Sequence, residues 1–200
     1  MTQTDFESPE VFNHLLTQRS LFISQEIDYE LATKTCAQLL WLDLCNHEAD
    51  ITIYINSGGG VVEGGLFTIY DTIQAIQAPV RTINIGEAYS SAAVILSCGT
   101  KGKRLAFPNS KMMIHTVQVM DVNGSQAQLQ QESKRVKILN ERIMELLAIH
   151  CGQPLSKIKR DCSEDKYLSP KEALEYGMID DIIEPAKQLP LLISKSGKKC

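Results

Sequence analysis

The sequence predicts an α/β fold built on a mostly parallel sheet. Runs of β-branched and aromatic residues alternate with helical stretches, several of those runs end in glycine or serine, and the composition is ordinary for a globular chain: 200 residues, 44% hydrophobic and 22% charged. Strand–helix alternation implies right-handed crossovers between parallel strands, but leaves strand order open.

The elements follow in order. Residues 1–10 are polar, contain Pro9 and are expected to form a flexible arm. An amphipathic turn or short helix begins at residues 11–16, and one domain then runs to residue 187. Residues 20–24 (SLFIS) read as a strand, while 29–47 place Leu31, Cys36, Leu39, Leu40 and Leu44 at helical intervals. Residues 51–55 (ITIYI) form a second strand, which ends at Asn56-Ser57-Gly58-Gly59-Gly60 and leads into a helix over 64–76. A third strand, 80–85 (VRTINI), is stopped by Gly86 ahead of a small-residue helix over 90–97. Short strands are expected at 104–107 and 112–116. The stripe of Leu129, Val136, Ile138, Leu139, Ile143, Leu146 and Leu147 makes 125–150 a long helix, closed by Gly152. Helices at 154–160 and 169–176 and a strand at 179–183 complete the domain, and the lysine-rich residues 188–200 read as a C-terminal tail.

Charge and composition exclude several functions. A net charge of −4 supplies no basic field for a polyanion, so nucleic acid is not expected as a principal partner. No basic stretch leads into an apolar run at the N-terminus, and nothing approaches the roughly 18 apolar residues of a membrane span, so a soluble cytoplasmic protein is expected. The six cysteines form no CxxC pair and the four histidines show no zinc spacing; neither a metal nor a disulfide is assigned. The run Gly58-Gly59-Gly60 lacks the Gly-Lys-Ser/Thr of a phosphate loop, and Glu63 stands where a dinucleotide fingerprint needs its third glycine. No cofactor is expected in this chain. Bare glycines after a strand can still offer N–H donors to an oxyanion or a substrate backbone.

The sharpest local feature is Gly86-Glu87-Ala88-Tyr89-Ser90-Ser91-Ala92-Ala93, with Ser90 where strand gives way to helix. A hydroxyl there faces the free N–H groups of the first helical turn, which would favour a developing oxyanion. In isolation, an ordinary N-cap is the commoner account of such a serine. A nucleophilic serine needs a base. His14 and His47 lie in polar surroundings, and His150 suits the last turn of the long helix as a cation. His115 ends the apolar run Met112-Met113-Ile114, where it is either satisfied by a neighbour or employed in chemistry. Acids are too plentiful for composition to choose the third member; Asp161, Glu164 and Asp165 cluster between two helices.

Taken together, Ile55 to Gly60, Gly86 to Ala93, Gly99 to His115 and Asp161 to Ser169 (DCSEDKYLS) resemble the ordered motifs of the ClpP family, the proteolytic subunits of the ATP-dependent Clp protease. The resemblance covers about residues 11–184. It implies a crotonase-like fold of repeated ββα units, with a protruding handle made of a strand at 117–124 and the long helix at 125–150. It also implies a serine endopeptidase in which Ser90 is the nucleophile, His115 the general base and Asp165 the orienting carboxylate, with the N–H of Ser91 and of Gly59 or Gly60 as oxyanion donors. In the family, heptameric rings stack as a tetradecamer around the active sites. A separate Clp ATPase of the ClpX, ClpA or ClpC type consumes the ATP and feeds in unfolded polypeptides.

The chain departs from the family pattern at several points. Gly58 replaces a proline, residues 56–70 are one residue longer than usual, Tyr89 stands where a small residue is common, and Thr116-Val117 replaces Gln-Pro. Glu164 and the pair Gln128 and Gln130 replace both sides of a ring-to-ring salt bridge, and the N-terminal arm is short. These departures admit an alternative, a weakly active or inactive structural subunit in a hetero-oligomeric ring with an active paralogue. An acyl-CoA enzyme on a crotonase-like fold is a more distant reading.

Overall fold

Runs rich in isoleucine, threonine and valine set the centre of the sheet. β1 (Ser20–Ile23), β2 (Ile51–Ser57) and β3 (Val80–Tyr89) pair in parallel, with Ile23 opposite Ile55 and Ile55 opposite Asn84. The sheet continues through β4 (Arg104–Ala106) to β7 (Asp181–Ile182), giving the order β1-β2-β3-β4-β7. Ile51, Thr52, Ile53 and Ile55 are all buried, as expected of a strand covered on both faces. The computed structural model describes residues 9–119 and 122–184.

The helices are fixed by local chemistry. α1 (Pro9–Thr17) opens on a proline, and the ring of Phe12 meets that of Phe22 on β1 edge-on at 5.6 Å. This helix therefore begins two residues inside the expected arm; residues 1–8 lie outside the described residues, as does the expected tail at 188–200. In α2 (Tyr29–Cys45) the Asp28 carboxylate accepts from the Leu31 N–H, and the Arg19 guanidinium donates to the terminal carbonyls of Leu42 and Asn46. α5 (Gln126–Cys151) and α7 (Pro170–Tyr176) each open with a capping box, Ser125 with Gln128 and Ser169 with Glu172. Both close on left-handed glycines, Gly152 and Gly177. α4 (Ser91–Ser97) is buried throughout, and α6 (Leu155–Asp161) follows α5.

Four expectations need correction. β3 runs through Gly86 instead of stopping there. Two residues of β2 beyond Ile55 are matched by four of β3, so Gly86 sits in a bulge where the Asn56 side-chain oxygen fills the space a Cβ would take. The expected helix over 64–76 is a π-turn, Val62–Leu66, followed by α3 (Phe67–Ala75). Its Leu66 N–H reaches back five residues to the Val61 carbonyl at 2.9 Å, so this turn holds one residue more than an α-turn. Residues 117–119 and 122–124, expected in the handle, form no strand; the Val117 N–H is taken by the Asn140 side chain instead of a neighbouring strand. Finally, a three-residue strand appears where only helices and a connecting segment were expected, β6 (Lys166–Leu168), antiparallel to β5 (Lys111–Ile114).

β3 pairs with two partners in succession. Thr82–Asn84 bond to β4, and after the bulge Glu87–Tyr89 bond to β5. Beyond the bulge Ala88 still pairs with Ser57 of β2, while on its other side the end of β3 joins β5 and, through it, β6 in a small layer, β3-β5-β6. No helix among the described residues is long and apolar enough to cross a membrane.

Candidate active site

Ser90 follows the last residue of β3, His115 follows the last residue of β5, and Asp165 precedes the first residue of β6. Since β3 and β5 run parallel and β6 runs against β5, all three positions fall at the same end of the small layer. They line one cleft of about 510 Å³ together with Gly58, Gly60, Ser91 and Met113, walled by Val61 and Val62 on the π-turn side and by Ile143 and Leu147 of α5.

Ser90 stands at the head of α4 with φ 53° and ψ −122°, one of two non-glycine residues with positive φ among the described residues. Its side chain makes no capping hydrogen bond. The N-cap account therefore fails, and a strained conformation is kept without the benefit that usually explains a serine in this position. The backbone is held from both sides: the Ser90 N–H donates to the Met113 carbonyl at 2.9 Å, and the Ser90 carbonyl accepts from Ala93 at 3.0 Å.

The glycine run packs directly against this turn. A Cβ on Gly59 would lie 2.8 Å from both the Ser90 Cβ and the Tyr89 carbonyl oxygen, so only glycine permits the approach. Gly59 donates its N–H to Ser57 Oγ at 3.2 Å, while Ser57 Oγ donates to the Gln25 carbonyl. The N–H of Gly59 is thus engaged, and it is Gly60 that lines the cleft. Ser91 Oγ donates to the Gly60 carbonyl at 2.9 Å and locks the glycine turn to the start of α4. Neither Ser57 nor the Ser91 hydroxyl stood out in the sequence, where serines beside glycines read as ordinary turn residues.

His115 has a side chain only 13% exposed, and its Nδ1 lies 3.3 Å from Oδ1 of Asp165. The approach is off the line a hydrogen bond requires, so this buried nitrogen has no hydrogen-bond partner among the described residues. Such long, poorly aligned pairs are common in substrate-free catalytic sites. Asp165 has 46% of its side chain exposed.

The other histidines are accounted for. His14 and His47 are exposed. His150 lies in the last turn of α5, where burial, aided by the Arg104 charge, pushes its pKa down, and its Nε2 lies 2.9 Å from the Tyr70 hydroxyl. It borders a larger hollow of about 750 Å³ with Arg104, Asp180, Cys98 and Cys151. There Arg104 is fully engaged with Asp180 and with the carbonyls of Ser97 and His150, and burial pushes the thiols of Cys98 and Cys151 up to about 12. Protonated thiols and a saturated guanidinium offer no nucleophile.

The family model described as Clp protease matches residues 3–186 of the chain. The chain belongs to the Clp protease family. It is therefore a ClpP-type protein, and the family's chemistry is that of a serine peptidase. Within the matched span, residues 86–93, 99–115 and 161–169 supply the elements that meet at the cleft, β3 with α4, β5, and the segment entering β6.

Proposed function

We propose that this chain is a serine endopeptidase that cleaves peptides and unfolded polypeptides with Ser90 as nucleophile, His115 as general base and Asp165 as the carboxylate that orients the imidazole. One observation carries the reading: Ser90 occupies a strained turn at the head of α4, uncapped, in the same cleft as His115 and Asp165. Ser90 Oγ would attack the scissile carbonyl carbon as His115 Nε2 takes the hydroxyl proton. The oxyanion would be held by the N–H groups of Ser91 and Gly60, donors of a kind worth about 2.7 to 4 kcal/mol each. The peptide C–N bond then breaks as His115 gives its proton to the departing amine, leaving an acyl ester on Ser90. Water, deprotonated by His115, attacks that ester and restores the serine.

In this reading the fold is crotonase-like. Subunits form heptameric rings stacked around a chamber, and a separate Clp ATPase supplies unfolded chains and uses the ATP. Family membership supports the assembly and the partner.

A fluorophosphonate probe tests the chemistry. Phosphonylation at Ser90, located by peptide mass spectrometry on the assembled protein, is the expected result; an unlabelled Ser90 in intact rings would transfer the reading to a structural subunit. Asp165→Asn is expected to slow peptide hydrolysis by about 10⁴-fold at neutral pH, because the ring would lose its orienting acceptor. A rate near that of the unmodified protein would remove Asp165 from the mechanism.

A further inference from the structure

The segment that carries Asp165 is weakly held. β6 has three residues and pairs with β5 alone, so it is an edge strand, and Asp165 lies just outside it with nearly half its side chain in solvent. Yet the His115–Asp165 geometry depends on where this strand sits. Tyr89 is opposite Met113, and Met113 is opposite Tyr167, so the three side chains form one cross-strand row on a common face. The rings of Tyr89 and Tyr167 reach across the buried Met113 and meet edge-on, with centroids 5.8 Å apart and planes at 89°. Tyr89 Oη also donates to the Glu87 carboxylate at 3.3 Å, which steadies its ring from the β3 side. Tyr167 is 57% exposed, so burial in the core does not explain an aromatic residue there.

We infer that the Tyr89–Tyr167 contact is a positioning device: it ties the strand that ends at Ser90 to the strand that begins after Asp165, and so sets the alignment of Asp165 on His115. The inference rests on the proposed roles of Ser90, His115 and Asp165. Both tyrosines act through the backbone they hold. An edge-to-face ring pair persists without the phenol oxygen of Tyr167, so Tyr167→Phe retains the device and Tyr167→Ala removes it.

The test is steady-state hydrolysis of a fluorogenic peptide by the full chain, with unfolding monitored in parallel. Tyr167→Ala is expected to lower kcat by about tenfold or more while leaving KM within about twofold, since misplacing a catalytic group costs rate and not substrate binding. Tyr167→Phe restores the rate, Tyr89→Ala reproduces the loss, and the double alanine variant is no worse than either single one. In an Asp165→Asn background, Tyr167→Ala costs nothing further. A rise in KM at constant kcat would make the rings a substrate contact and overturn the inference. So would full activity in Tyr167→Ala, failure of Tyr167→Phe to restore the rate, or an undiminished loss in the Asp165→Asn background. Failure of the triad reading looks different: Asp165→Asn alone would then retain the full rate.

Discussion

Ser90→Ala is expected to reduce peptide hydrolysis by about 10⁶-fold, and Ser90→Gly to do the same while raising stability by about 1 kcal/mol over the alanine variant. The first effect follows from loss of the nucleophile, since residual turnover would come only from the oxyanion donors and the binding of substrate. The second follows from the backbone. At φ 53° and ψ −122° any side chain is strained, and alanine keeps that strain because its Cβ remains. Glycine removes it, in a turn pinned by the bond from the Ser90 N–H to the Met113 carbonyl, at the cost of a more flexible unfolded chain. Alanine should therefore unfold close to the unmodified protein, and glycine at a higher urea midpoint, both measured at the same protein concentration because association of subunits, where it occurs, adds to stability. Hydrolysis surviving in either purified variant would end the assignment of Ser90. A glycine variant less stable than the alanine variant would show that the turn is not strained.

Much of this was legible in the sequence because the signals are local. Strand and helix periodicity located the central elements, the apolar stripe ending at Gly152 located α5, and the motif resemblance named Ser90, His115 and Asp165. What escaped the sequence was set by neighbours distant in the chain. Gly86 looked like a strand end because glycine usually punctuates a strand, yet the bulge depends on Asn56, thirty residues earlier, occupying the missing Cβ. The π-turn hides in residues 62–66 because its helical periodicity differs from an α-turn by a single residue. β6 is too short for alternation to register; only pairing with β5 makes Lys166–Leu168 a strand, and that pairing is what carries Asp165 to His115. The role of Gly59 was equally hidden. Among three consecutive glycines, the sequence cannot tell that Gly59 abuts Ser90 while Gly58 and Gly60 line the cleft.

Arg104→Met is expected to be the most damaging substitution away from the cleft, costing about 3 to 5 kcal/mol, because it removes one partner of a buried ion pair and leaves the other. Arg104 is 5% exposed on its side chain and forks onto Asp180, with Nε 2.9 Å from Oδ2 and Nη2 2.6 Å from Oδ1, while Nη1 donates to the carbonyls of Ser97 and His150. One side chain thus ties β4 to the end of α4, the end of α5 and the residue leading into β7. A lysine could not reproduce the fork. Burial would raise the Asp180 pKa, but the Arg104 hydrogen bonds and charge, with the N–H of Gly102, outweigh it and hold the carboxyl below the ordinary carboxylate range. A depressed carboxylate contributes stability that is complete above its unfolded value, about 3.9, and is lost as the pH falls through the lower folded one. The gap in urea midpoint between the unmodified protein and Arg104→Met should accordingly be widest near neutrality, begin to narrow near about pH 4 and go on narrowing as the pH falls through the lower value at which Asp180 of the folded protein takes up its proton. A gap that stayed constant down to acid pH would mean that Arg104 acts through packing and its carbonyl contacts alone, with no contribution from the charge on Asp180.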